Sequence, residues 1–175
     1  GIFDLCSRQS GNSISVKRKK ELTGRSWPNG CHVAEVEIDA ETGEVRLDRY
    51  VSVDDVGNTV NPMIVHGQVQ GGIASGLGQA VLERTEYDAS GQLLSGSYMD
   101  YALPRADDMP SLSGSLFEKA PCLTNPLGAK GTGEIGAVAG PPAIVHAVID
   151  ALAEKGITQV DMPLQPQKIW ECLNR

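Results

Sequence analysis

Between Cys31 and Asp39 the chain alternates, with His32, Ala34, Val36 and Ile38 on one parity and Val33, Glu35, Glu37 and Asp39 on the other. A period of two marks a strand with one buried face, and Val33 alone breaks the polar side. Glu41-Thr42-Gly43 supplies a turn, and Glu44–Asp54 returns with Val45, Leu47, Val51 and Val53 as apolar points. The two runs predict a β-hairpin. Arg49 interrupts the interval from Leu47 to Val51, which predicts a twist or bulge there.

The period then changes. Asn61-Pro62 is an N-cap followed by proline at the first helical position. It opens a helix over about 62–83, with Ile64, Val65, Val69, Ile73, Leu77, Ala80, Val81 and Leu82 as apolar positions. Residues 84–87 and 92–94 flank Ala89-Ser90-Gly91 as a second hairpin. Prolines 104, 110 and 121 break up the following region, in which 98–104 is expected to be irregular and 112–117 one more strand. Pro141 to Gly156 predicts a helix over 141–155, with Ile144, Val145, Val148, Ala151 and Leu152 as its core stripe and Gly156 as its stop. His146 falls inside it and is expected at the boundary or in the core. A short strand ends at Val160, and 165–173 is a short terminal helix with Ile169 and Trp170 inward. Signals before residue 30 are weak: a helix end at 2–5, turn material at 10–13 and a short strand at 14–16. Strands and helices mix without a βαβ rhythm, so the predicted class is α+β, as a single domain spanning 1–175.

Glycine changes this picture. The 62–83 helix contains Gly67, Gly71, Gly72, Gly76 and Gly78, each costing about 0.5–1 kcal/mol relative to alanine. Gly67/Gly71 and Gly72/Gly76 are four apart and share faces, which predicts either close packing on a neighbour or the approach of a ligand near Gln68. Asn125–Gly136 holds four more glycines together with Lys130 and Glu134. By its spacing alone it is either a mobile loop or a site.

Composition narrows the class. The 175 residues are 41% hydrophobic but only 5% aromatic, so the core must come from aliphatic residues and close backbone contact. A net charge of −7 opposes non-specific nucleic-acid binding, and the basic run at 17–20 is expected to be a solvated segment. Cys6, Cys31, Cys122 and Cys172 lack zinc spacing and are read as free thiols of a reducing, cytoplasmic compartment. No run approaches a membrane span, and the start is not a signal peptide. Without an initiator Met the chain is expected to be cut from something longer.

Gly131-Thr-Gly-Glu-Ile-Gly136 matches G-x-G-x-x-G formally. No apolar strand precedes it, and its glutamate would sit where a pyrophosphate requires amide donors. Glu134 is either a solvated carboxylate or, enclosed by glycine and the apolar run after it, a desolvated general base. The three histidines are too dispersed to predict a metal site, and no nucleophile elbow, P-loop or Ser/His/Asp order occurs.

Several stretches together resemble the molybdenum-binding subunit of the xanthine oxidase and aldehyde oxidase family, with carbon monoxide dehydrogenase-like large subunits the nearest in look. They are Asp54-Asp-Val-Gly57, Asn61-Pro62, the run from Gly67 to Glu83, Asp100-Tyr-Ala-Leu-Pro104, Gly128-Ala-Lys-Gly-Thr-Gly-Glu134, Pro142-Ala-Ile and Ala147–Ala151. Order and spacing agree over roughly residues 30–155. The resemblance implies a molybdenum hydroxylase that oxidises an aldehyde, an N-heterocycle or carbon monoxide with water as oxygen source. Its cofactor would be molybdopterin or the cytosine dinucleotide form, with the metal held by the dithiolene and by no protein side chain. Glu134 would be the base that takes the proton from the molybdenum-bound hydroxyl as its oxygen attacks substrate carbon. Gln68 would match the glutamine that reaches the metal's ligands, and Lys130, Gly131 and Gly133 would lie in the segment against the cofactor.

Family large subunits are several times longer. The resemblance therefore makes this chain a C-terminal part, completed by the N-terminal part of the subunit and by iron–sulfur and flavin subunits or domains. The isolated chain is expected neither to hold the cofactor nor to turn over substrate, and to self-associate through surface left uncovered. The alternatives are a non-catalytic assembly or docking module that kept the fold and, more weakly, a nucleotide-binding domain using the Gly131 loop.

Overall fold

The computed structural model describes residues 1–8, 13–17, 19, 21 and 24–174. Its elements are α1 (Ile2–Ser7), β1 (Asn29–Ile38), β2 (Val45–Asp55), α2 (Pro62–Leu77), β3 (Leu112–Leu116), α3 (Ile135–Ala151) and α4 (Pro166–Leu173). The class is α+β. Among the described residues the strands form one mixed sheet in the order β1-β2-β3, with β1 antiparallel and β3 parallel to β2. Helix α3 lies against β1, and α2 packs on α3. The core between them is aliphatic: Leu47, Val69, Ile73, Leu77, Ile144, Val148, Leu152, Leu164 and Ile169 are all buried, with Tyr50 as its large aromatic.

The hairpin forms as the alternation predicts, and its bulge decides which β2 residues face inward. Glu35 pairs with Arg49 and Val36 with Leu47, so Asp48 is the extra residue. An extra residue reverses the parity of everything beyond it. Leu47 therefore shares the buried face with Tyr50, Ser52 and Asp54, whereas Val51 and Val53, expected as apolar core points, face outward.

Helix α2 begins at the Asn61 cap, whose side chain accepts from the Ile64 amide at 3.3 Å, and continues as a π-helical turn over Gly78–Leu82. Its glycines divide by face. A Cβ built on Gly72 would lie 2.7 Å from the Ala137 nitrogen, and one on Gly76 would lie 3.0 Å from the Gly140 Cα. Gly67 and Gly71 meet nothing within 4 Å among the described residues.

The largest departure is α3, which starts at Ile135 and not at Pro141, so both prolines sit inside the helix. Proline within a helix forfeits hydrogen bonds and normally marks its first turn. Here the first turns hold Gly136 and Gly140, which seat on Gly72 and Gly76, and that packing extends the helix upstream of its prolines. His146 and Ala151 are exposed, not in the core. Trp170 is 45% exposed while Ile169 is buried. No strand forms at 14–16 or before Val160. Residues 10–12 of the turn expected at 10–13, and Arg18 and Lys20 of the basic run, lie outside the described residues. The second hairpin is reduced to a Tyr87–Leu93 bridge. Cys6, Cys31, Cys122 and Cys172 are free, and no described helix is long and apolar enough to cross a membrane.

Candidate active site

Because α3 starts at Ile135, Glu134 is the N-cap residue of a 17-residue helix, with no capping hydrogen bond from its side chain. The glycine loop before it is fastened at its start. Gly57 and Ala129 form an antiparallel bridge, the Lys130 amide donates to the Val56 carbonyl at 2.7 Å, and the Lys130 ammonium donates to Asp55 Oδ2 at 2.6 Å. Asp55 Oδ1 accepts from the Gly57 amide at 2.9 Å. Burial pushes the Asp55 carboxyl up, but the Lys130 ammonium and the Gly57 amide outweigh it and hold the group below its ordinary value. Gly57, at φ +66°, must be glycine, because a Cβ there would lie 2.1 Å from the Gly128 carbonyl oxygen.

Beyond this anchor the loop borders a cavity of about 550 Å³. One wall is Gly131–Glu134 with Ile135 and Val138 of α3; the other is Ser26–Gly30 with His32. Glu134 is exposed, so the enclosure expected of a desolvated base is not supplied by the described residues. Thr132 lines the cavity, and its hydroxyl oxygen is buried with no hydrogen-bond partner among those residues. A Cβ on Gly131 would meet nothing within 4 Å, and one on Gly133 would lie 3.7 Å from Gln68 Nε2. Helix α2 thus brings Gln68, on the face left open by Gly67 and Gly71, beside the loop.

The second wall was not legible as a site. It rests on a buried polar group: His32 Nε2 lies 2.8 Å from Asp54 Oδ1 and Nδ1 2.9 Å from the Tyr50 hydroxyl, while Ser52 donates to Asp54 Oδ2 at 2.9 Å. The His32 and Asp54 side chains are 2% and 1% exposed. In the tautomer that carries its proton on Nε2, His32 donates to Asp54 and accepts from Tyr50 at Nδ1. Burial, reinforced by the Asp54 charge, pushes the Tyr50 phenol up and keeps it a donor. Gly30 completes the wall, because a Cβ there would lie 2.7 Å from Asp54 Oδ1. One signal was available in the sequence: His32 falls on the inward parity of β1, where a polar side chain needs buried partners.

Of the residues singled out, Gly131, Gly133 and Glu134 line the cavity, and Gln68 lies beside Gly133. Lys130 is turned away to Asp55. No group of three His, Cys, Asp or Glu side chains suited to a metal occurs among the described residues.

Comparison with known proteins identifies the family. The molybdopterin cofactor-binding domain model matches residues 8–110. The chain is 37% identical over 148 residues to the carbon monoxide dehydrogenase large chain of Hydrogenophaga pseudoflava, covering 85% of this chain and 18% of that one. It is 38% identical over 143 residues to the nicotine 6-hydroxylase large subunit of Paenarthrobacter nicotinovorans, covering 82% and 17%. The crystal structure of quinoline 2-oxidoreductase from Pseudomonas putida 86 superposes with a TM-score of 0.81 at 40% identity, covering 85% and 19%. The chain thus spans less than a fifth of the length of each of these relatives. By the matching model it belongs to the molybdopterin cofactor-binding domain family, alongside xanthine oxidase-family large subunits.

Proposed function

We propose that this chain is the C-terminal, molybdopterin-facing domain of a molybdenum hydroxylase subunit, and that Glu134 is the base of that site. The observation that carries this reading is that Gly131, Gly133 and Glu134 line one cavity, with Gln68 Nε2 within 3.7 Å of where a Cβ on Gly133 would lie. The residues fit a polar, extended cofactor on two counts. Gly131 leaves open the space a Cβ would fill, and the Thr132 hydroxyl offers a buried donor and acceptor with no partner among the described residues. Backbone amides at bare glycines approach such a group closely, as side-chain-bearing residues cannot.

When bound, the cofactor supplies an acidified, water-derived hydroxyl and takes up the substrate's electron pair. Glu134 accepts the hydroxyl proton at a carboxylate oxygen, general-base work that requires reach before it requires a tuned pKa. Gln68 donates and accepts through its side-chain amide at the neighbouring edge. Lys130 takes part by fixing the loop. Trp27 to Gly30 borders the opposite side of the cavity.

The reaction class is oxidation of an aldehyde, an N-heterocycle or carbon monoxide, with molybdopterin or its cytosine dinucleotide as cofactor. Glu134 is exposed on this chain, so its enclosure falls to the N-terminal part of a complete subunit. Iron–sulfur and flavin partners would carry the electrons away. Alone, the chain neither retains the cofactor nor turns over.

The test is molybdenum content in the assembled enzyme. Gly131→Val fills the open space without touching the fold and is expected to drop bound molybdenum to near background. Wild-type content in that variant contradicts the reading.

A further inference from the structure

β2 ends in two consecutive aspartates, and a strand sends consecutive side chains to opposite faces. Asp54 points inward to His32 on one wall of the cavity. Asp55 points the other way and takes Lys130 of the glycine loop, which forms the opposite wall. The Lys130 and Asp55 side chains are only 11% and 13% exposed. At that depth the pair is hard to separate, because removing either partner leaves the other charge poorly solvated.

The bonds around Lys130 all point into the protein. Its amide is held by Val56, and its ammonium by Asp55. Two residues earlier, the Gly128 carbonyl accepts from both the Asn58 and the Cys122 amides, at 2.9 and 2.8 Å. The loop is therefore pinned over Gly128–Lys130, whereas a Cβ on the next residue, Gly131, would meet nothing within 4 Å. Its cavity-facing part starts immediately after the pinned lysine.

We propose that Asp55 and Lys130 form a positioning pair that presets the Gly131–Glu134 segment, with Lys130 acting through Asp55 and not as a direct contact to the bound group. This rests on the functional reading above for what the segment is preset to do, but the pair itself is a property of the chain. The arrangement spares the loop an ordering cost at the moment of binding, which is what preorganisation supplies.

Hydrogen–deuterium exchange on the full 175-residue chain tests it. Asp55→Asn and Lys130→Met are each expected to speed exchange at the amides of Asn58, Cys122, Gly128 and Lys130 by about tenfold or more. The double variant should exchange no faster than either single one, and Lys130→Arg should retain protection. Exchange in the 39–44 turn should not change. Additive effects in the double variant, or unchanged exchange in either single one, would overturn the proposal.

Molybdenum content of the assembled enzyme gives a second arm. Equal losses in Asp55→Asn and Lys130→Met support a positioning pair; a loss confined to Lys130→Met overturns it in favour of direct contact. An assembled wild type that holds no molybdenum would sink the functional reading, while the exchange measurement would still decide this one.

Discussion

Gly72 on α2 and Gly136 on α3 meet backbone to backbone. A Cβ on Gly72 would lie 2.8 Å from the Gly136 Cα, and one on Gly136 would lie 2.3 Å from the Val69 carbonyl oxygen. Atoms of two helical backbones cannot step aside as a flexible side chain can. Gly72→Ala or Gly136→Ala is therefore expected to destabilise the fold by roughly 1–3 kcal/mol, the range for overpacking. Gly67→Ala and Gly71→Ala, with open space above them, should each stabilise it by about 0.5–1 kcal/mol through helix propensity. Urea denaturation of the four variants checks both signs.

The buried His32–Asp54 contact makes a separate prediction. Asp54→Ala strips His32 and Ser52 of the acceptor they share, and each buried donor left unsatisfied costs about 1–3 kcal/mol. Chemical denaturation should show that loss. The Ser26–Gly30 segment should also loosen, because Gly30 packs against the Asp54 carboxylate; faster amide exchange there would register it.

Acid should release the glycine loop from β2. The Asp55 carboxyl is held below its ordinary value of 3.8, since Lys130 and the Gly57 amide outweigh the opposing effect of burial. A carboxyl depressed in the folded state binds its proton more readily when unfolded, so its contribution rises with pH. The contribution is fully present above about pH 5 and is lost as pH falls through 3.8 towards the folded-state value. The stability gap between wild type and Asp55→Asn, followed by denaturation across that range, should close on acidification. A constant gap would count against the anchor.

Local pattern carried much of the architecture. Alternation located the hairpin, Asn61-Pro62 the start of α2, and the interval around Arg49 the bulge at Asp48. What local pattern could not convey was the consequence of that bulge: Tyr50, Ser52 and Asp54 turn inward only because one extra residue resets the parity. Pro141 misplaced the start of α3 for a related reason, since proline usually opens a helix and only the Gly72–Gly136 contact, remote in sequence, extends this one upstream. The glycine loop and Gln68 were legible through resemblance, whereas the Trp27–His32 wall was not. Its chemistry depends on Asp54, which lies across the hairpin. Lys130 was legible as part of the loop but not as the partner of Asp55, a contact that joins residues far apart along the chain.

As the proposed base, Glu134 moves the proton in a molybdopterin site. In the assembled enzyme Glu134→Gln keeps the size and hydrogen-bonding capacity of the side chain but removes its ability to accept that proton at neutral pH. Turnover and molybdenum content measured on the same preparation decide the matter. Turnover is expected to be abolished while molybdenum remains near the wild-type level; turnover retained at full molybdenum content would rule Glu134 out as the base.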